Sequence, residues 1–167
     1  MMTDNVELLI KPEARGTGET RMIMTFELQN EVFAVDVANV HEVIDPLPLT
    51  PVPNADSFAP GLVNVRGAVV PVLNLQHRLG MPPHEQSADT RFVVLEADTG
   101  DGPAKFAVIA DSVDEVVELP VESIQPIPEL GLRWPTEFID GVAQRDDRLV
   151  ILLNQRTAFQ PAGASWA

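Results

Sequence analysis

The chain has 167 residues, a formal net charge of −14 at pH 7 and no cysteine. This length can bury a core as one domain or two small ones, and the lack of cysteine excludes disulfides and thiol chemistry. The negative charge argues against nucleic acid or an anionic membrane as a partner bound through bulk electrostatics. Without an apolar run of roughly 20 residues or a secretory signal, the sequence predicts a cytoplasmic protein with no direct membrane insertion.

The first ordered element is predicted to be a β-hairpin. Residues 1–20 are polar and aperiodic, which is typical of a mobile tail. Met24, Phe26 and Leu28 then alternate with polar residues, as in a strand with one buried face. Residues 32–35 supply the return strand.

A short helix is expected after this hairpin. Val37, Val40 and Ile44 recur at helical spacing. Asp36 is well placed as the N-cap of that helix. On such a helix Val40 faces the core, and Glu42 lies off the apolar stripe and faces solvent.

The remaining segments predict further strands separated by proline-rich crossings. Many short strands with frequent turn signals are typical of a barrel or a sandwich. The expected strands are 62–65, 68–73, 91–97, 105–110, 138–143 and 149–153, the crossings are 46–60 and 119–137, and a polar linker covers 77–91.

The same series of short motifs occurs twice in the chain, in the same order, at 33–75 and at 106–154. Phe-Ala-Val opens each copy, and an apolar pair followed by asparagine ends each one. The duplication favours two small packed barrels over one sandwich. Features that both copies share are interpreted as structural, and features of one copy are better functional candidates.

This duplication also sets the predicted boundaries. We expect a single domain over 21–159, with a first barrel half at about 21–76 and a second at about 90–154. Residues 160–167 are expected to form a C-terminal tail.

The clearest feature of a single copy is Asn64-Val65-Arg66-Gly67, which Gln144-Arg145-Asp146-Asp147 replaces in the second copy. Arg66 is either an ordinary turn arginine or a partner contact, since a guanidinium on a rigid hairpin can bind a carboxylate or a carbonyl of another protein. Asn64, Arg66 and Gly67 are therefore candidate partner-binding residues.

Motifs for catalysis, cofactors and metals are missing from the sequence. There is no phosphate-binding glycine loop and no Gly-x-Ser-x-Gly elbow, and His41, His77 and His84 lack metal-ligand spacing. We expect no catalytic residue, no cofactor and no metal. Two other classes remain open, an enzyme that uses a barrel groove and a small-ligand-binding β-barrel sensor with a deep apolar pocket.

Several segments, in order and at matching spacing, resemble the CheW-like chemotaxis coupling proteins over about residues 22–159. The segments that carry the resemblance are Phe33-Ala34-Val35-Asp36, Val40-His41-Glu42-Val43-Ile44, Gly61-Leu62-Val63-Asn64-Val65-Arg66-Gly67, Val70-Pro71-Val72-Leu73-Asn74-Leu75 and Phe138-Ile139-Asp140-Gly141-Val142. The resemblance implies an all-β fold with short helices, in which two five-stranded SH3-like barrels share a hydrophobic core.

The same resemblance implies a non-catalytic adaptor between chemoreceptor cytoplasmic tips and the regulatory domain of a CheA-type histidine kinase. It also implies that Val40, Glu42, Gly61 and Arg66 occupy positions involved in partner binding. Asn74 stands where the family usually has aspartate. The pathway stays open between flagellar chemotaxis, pilus motility and another chemosensory array.

Overall fold

The computed structural model describes residues 18–83, 85–98, 102–127 and 135–159. The predicted tails lie outside the described residues, apart from 18–20. The strands are β1 (Thr20–Leu28), β2 (Glu31–Asp36), β3 (Val40–Ile44), β4 (Thr50–Pro51), β5 (Gly61–Val65), β6 (Ala68–Leu73), β7 (Arg91–Asp98), β8 (Pro103–Ala110), β9 (Ser112–Pro120), β10 (Ile139–Arg145) and β11 (Arg148–Leu153). The short α-helices are α1 (Leu75–Arg78) and α2 (Gln155–Ala158), and 3-10 helices cover Val37–Asn39, Val121–Ser123 and Thr136–Phe138.

The strands of the described residues form two sheets. One sheet has the order β10-β11-β2-β1-β9, and the other has the order β3-β7-β8-β6-β5-β4. Because β4 is two residues long, each sheet has five strands of substantial length. The predicted all-β class with short helices is confirmed, and the two sheets agree with two SH3-like barrels.

Each sheet combines strands from both sequence repeats. The hairpin β1–β2 pairs with β9 and, in parallel, with β11, which both come from the second repeat. The hairpin β7–β8 pairs with β3 and, in parallel, with β6 of the first repeat. The expectation that 21–76 builds one barrel and 90–154 the other is therefore corrected. The first half contributes β1 and β2 to the sheet that contains β9, β10 and β11. The second half contributes β7 and β8 to the sheet that contains β3 to β6, so each sheet needs strands from both halves.

Two-residue turns close three of the hairpins. The central residues of these turns have positive φ, which matches the right-handed twist of the flanking strands. The pairs are Gln29 (50°) with Asn30 (73°), Arg66 (53°) with Gly67 (87°), and Asp146 (52°) with Asp147 (66°).

The core consists of three apolar clusters. The largest draws on both sheets and contains Phe26 stacked on Phe33, with ring centroids 6.2 Å apart. The second cluster lies within the five-stranded sheet and the third within the six-stranded sheet. Each barrel thus has its own interior and shares a central layer with the other, as the sequence predicted. Full burial of one such side chain contributes about 1.5–3 kcal/mol.

The helix predicted around Val40 is wrong. A single 3-10 turn covers Val37–Asn39, and the chain then enters β3. Asp36 precedes that turn without a side-chain capping bond, and its carboxylate accepts two bonds from Arg21, at 3.0 and 3.1 Å. The apolar residues of Val-His-Glu-Val-Ile do not alternate, so pairing with β7 rather than the local pattern selects the strand.

Arg78, the last residue of α1, joins the two repeats. Its guanidinium lies 3.6 Å from the ring centroid of Phe58 and 5.0 Å from that of Phe138, which comes from the second repeat. It donates hydrogen bonds to the carbonyls of Thr157 (3.0 Å) and Ala158 (3.2 Å) on α2. Burial lowers the pKa of Arg78.

Candidate functional site

The turn between β5 and β6 exposes Arg66 at the end of this hairpin. The side-chain oxygen of Asn64 accepts a 2.8 Å hydrogen bond from the Gly67 amide and closes the turn. The Arg66 side chain is 77% exposed. Asn64 and Gly67 therefore shape the turn, and Arg66 is the group that this turn offers to a partner.

Glu42 holds the Arg66 guanidinium in place. Arg66 Nε lies 3.1 and 3.3 Å from the two carboxylate oxygens of Glu42, and Arg66 Nη2 lies 3.0 Å from one of them. The Arg66 hydrogen bond lowers the pKa of Glu42, and the same bond raises the pKa of Arg66. The Glu42 side chain is only 18% exposed, so the prediction that it faces solvent is wrong. That prediction assumed a helix, whereas in β3 Glu42 pairs with Val94 and shares the face of Ile44, beside the third apolar cluster.

Two further basic groups lie beside this ion pair. The register between β3 and β7 shifts between Val40 and Glu42, so His41 occupies a β-bulge. His41 Nε2 lies 4.0 Å from a Glu42 oxygen and 3.5 Å from the amine of Lys105 at the start of β8. We call Glu42, Arg66, His41 and Lys105 the Arg66 corner. No motif in the sequence pointed to His41 or Lys105 as part of this site, because the two residues lie 64 positions apart.

Val40 and Gly61 lie apart from the exposed part of this corner. Val40 is half-buried and packs against the central apolar cluster. Gly61 is buried where the crossing loop touches β5, and a Cβ there would lie 2.5 Å from the Thr50 carbonyl oxygen and 2.8 Å from Leu49 Cγ. Gly141 has an equivalent close contact, with the Gln125 carbonyl oxygen at 2.8 Å. The close backbone approach gives Gly61 a structural role that both repeats share.

The other barrel carries a related ion pair. Glu115 occupies the position of Glu42 in the second repeat, and Arg145 Nε lies 3.4 Å from its carboxylate. An acid–arginine pair therefore occurs in both repeats, although the arginine is displaced by one residue in the sequence pattern. The two barrels differ at the β-bulge, where the second repeat has Asp114 at the position of His41.

Replacing Asp114 with asparagine is expected to stabilise the protein at pH 7. Partial burial, followed by the charge of Glu27, raises the pKa of Asp114. An acid whose pKa is raised by folding weakens the fold above its folded pKa, and this penalty disappears as the pH falls below its unfolded value of about 3.9. Urea unfolding of both proteins at pH 7 and near pH 3 measures the effect. An equal gain at both pH values would contradict the electrostatic cause.

A cavity of about 330 Å³ lies between the end of β7 and α2. Its lining is about equally polar and apolar, unlike the deep apolar pocket that a small-ligand sensor needs. The lining residues are Asn39, Ala97, Asp98, Gln155 and Arg156. Within the part of the chain that the structure describes, no group of three or more potential ligands could hold a metal ion. No helix among the described residues has the length and apolar character to cross a membrane.

Two barrels with a shared core, carrying an ordered ion pair on an exposed turn, define a scaffold of the protein-binding class. The CheW-like domain family model matches residues 22–160. The chain belongs to this family, and its function is that of a chemotaxis adaptor.

Individual relatives agree with this assignment. The chain is 29% identical over 139 residues to the probable chemotaxis protein CheW of Rhizobium etli, covering 83% of this chain and 87% of that protein. It is 36% identical over 126 residues to protein FrzA of Myxococcus xanthus, covering 74% of this chain and 76% of that protein. The crystal structure of the scaffolding protein TtCheW from Thermoanaerobacter tengcongensis has a TM-score of 0.78 at 30% identity, covering 89% and 93% of the two chains.

Proposed function

We propose that this protein joins a chemoreceptor cytoplasmic tip to the regulatory domain of a CheA-type histidine kinase, without catalysing a reaction, and that the Arg66 corner is one of its contact surfaces. The observation that carries this proposal is the Glu42–Arg66 pair, which fixes an exposed guanidinium on a two-residue turn. We place the functional unit at 21–159 and the protein in the cytoplasm.

The geometry explains how such a surface could bind without rearrangement. Binding normally costs the ordering of long, mobile side chains at an interface. Glu42 orders Arg66 before the partner arrives, and the closed turn of Asn64 and Gly67 restricts the backbone below it. The N–H groups of Arg66 that do not face Glu42 stay free to donate to a partner carboxylate or carbonyl.

Replacing Arg66 with glutamate is expected to weaken partner binding by about 1–3 kcal/mol, the scale of a moderate interface hot spot. The substitution removes the donor fork and sets a second acid against Glu42. Purified wild type and variant would each be titrated against a receptor signalling tip and against the CheA regulatory domain. Thermal unfolding would verify that the variant is folded.

Arg145→Glu is the matched control, since Arg145 forms the related pair with Glu115 in the other barrel. A loss of binding specific to Arg66→Glu supports the Arg66 corner as a contact surface. Equal binding of wild type and Arg66→Glu to both partners would exclude it. Failure of the wild type to bind either partner would overturn the adaptor proposal itself.

A further inference from the structure

Lys105 differs from most basic residues of this acidic protein. Several arginines among the described residues pair with a carboxylate, as is usual when acids are in excess. The pairs are Arg21–Asp36, Arg66–Glu42, Arg91–Asp45, Arg145–Glu115 and Arg148–Glu27. Lys105 is exposed, and its contact is the imidazole of His41 at 3.5 Å. Glu96 is the cross-strand neighbour of Lys105, yet the Lys105 amine contacts the His41 imidazole.

We infer that Lys105 and His41 make the Arg66 corner a binding site for an acidic segment of a protein partner, with one carboxylate for Arg66 and a second for Lys105. This inference rests on the proposed function, and it specifies the charge of the partner surface. The contacts run in a chain from Lys105 to His41 (3.5 Å), then to Glu42 (4.0 Å), then to Arg66 (3.0 Å).

Hydrogen-bonding capacity favours an anionic occupant. An ammonium has three donors and a guanidinium five; the contact with His41 uses one donor of Lys105, and the contacts with Glu42 use two donors of Arg66. The single carboxylate within this corner, Glu42, already accepts from Arg66. The donors that remain on Lys105 and Arg66 can bind partner carboxylates, as a charge-assisted pair on each side of Glu42.

The second repeat shows that the basic character is specific to this corner. The aligned Phe-Ala-Val motifs place Val32 opposite Lys105 in the repeat, and Asp114 takes the bulge position of His41. Partial burial raises the pKa of Asp114, and the nearby charges of Glu27 and Glu115 raise it further, while the charge of Arg148 acts in the opposite direction. At these two positions one barrel has a lysine and a histidine where the other has a valine and an acid, so an acidic segment can distinguish the end of one barrel from the similar end of the other.

The test uses the full-length protein and charge reversal at Lys105. Lys105→Glu is expected to weaken binding of one of the two partners about five- to tenfold, because a pair is lost and a repulsion is gained. Arg156→Glu, an exposed reversal on α2, is the control and should change the affinity less than about twofold. Titrations at several salt concentrations should give a smaller salt dependence for Lys105→Glu than for the wild type.

The partner residue is found by reversing acidic residues of the receptor tip and of the regulatory domain one at a time. An acid-to-lysine change that restores the affinity of Lys105→Glu supports the inference and identifies the occupant. If Arg66→Glu weakens binding but Lys105→Glu leaves it unchanged or strengthens it, this inference is overturned while the proposed function stands. If the wild type binds neither partner, both fail.

Discussion

Replacing Arg78 with alanine is expected to lower the free energy of unfolding by about 3 kcal/mol. The guanidinium lies against the rings of Phe58 and Phe138 and donates to two carbonyls of α2. A partly desolvated cation–π contact contributes about 1–2 kcal/mol and hydrogen bonds to a charged group about 1.5–3, with incomplete additivity. Urea unfolding at pH 7 measures the loss.

Two variants distinguish the loss of the Arg78 contacts from a general effect of removing a charge. Arg78→Lys keeps the charge but loses the planar fork, so an intermediate loss is expected. Arg156→Ala removes an exposed arginine from α2 and should change stability by less than about 0.5 kcal/mol. If Arg78→Ala lowered the free energy of unfolding as little as Arg156→Ala, the Arg78 contacts would contribute little to the association of the repeats.

Replacing Gly61 with alanine is expected to cost about 2–3 kcal/mol. The new Cβ would lie 2.5 Å from the Thr50 carbonyl oxygen, and this backbone atom can move only if β4 separates from β5. Gly141→Ala should have a similar cost, since its Cβ would lie 2.8 Å from the Gln125 carbonyl oxygen, beside a backbone bridge to Val142. Denaturant unfolding of both variants gives the comparison.

Substitutions at Gly67 test whether crowding is the cause of the loss of stability at Gly61. Its φ is +87° and an added Cβ would meet nothing within 4 Å, so alanine there incurs conformational strain of about 1–2 kcal/mol without crowding. Asparagine, which tolerates positive φ, should recover part of that loss at Gly67 and none at Gly61. Recovery by asparagine at Gly61 would contradict crowding as the cause.

Local patterns predicted much of the secondary structure. Alternation identified β1, the turn after it identified β2 as the return strand, and the Arg66-Gly67 segment was correctly expected to join two strands. The helix around Val40 was wrong, since the local spacing of apolar residues favoured a helix and only the pairing with β7 selects a strand. The orientation of Glu42 was wrong for the same reason.

Parts of the candidate site depended on contacts between distant segments. Glu42 and Arg66 were each candidates, yet no local pattern indicated that they pair across 24 residues. Lys105 joins His41 across 64 residues, and it had no signal beyond being a lysine in an acid-rich segment. Comparing the two repeats position by position could have found it, because Val32 occupies its place in the first copy.

The sequence by itself determined most of the strands, the duplication and the family, because alternation, turn residues and motif order can be read from the chain without its contacts. Only the tertiary structure decided which strands share a sheet, how Arg78 joins the repeats and which charges meet at the Arg66 corner. The physical reason is that two similar hairpins can pair within or between repeats with the same local hydrogen bonding. Burial of the shared core selects between these pairings, and it depends on the whole chain.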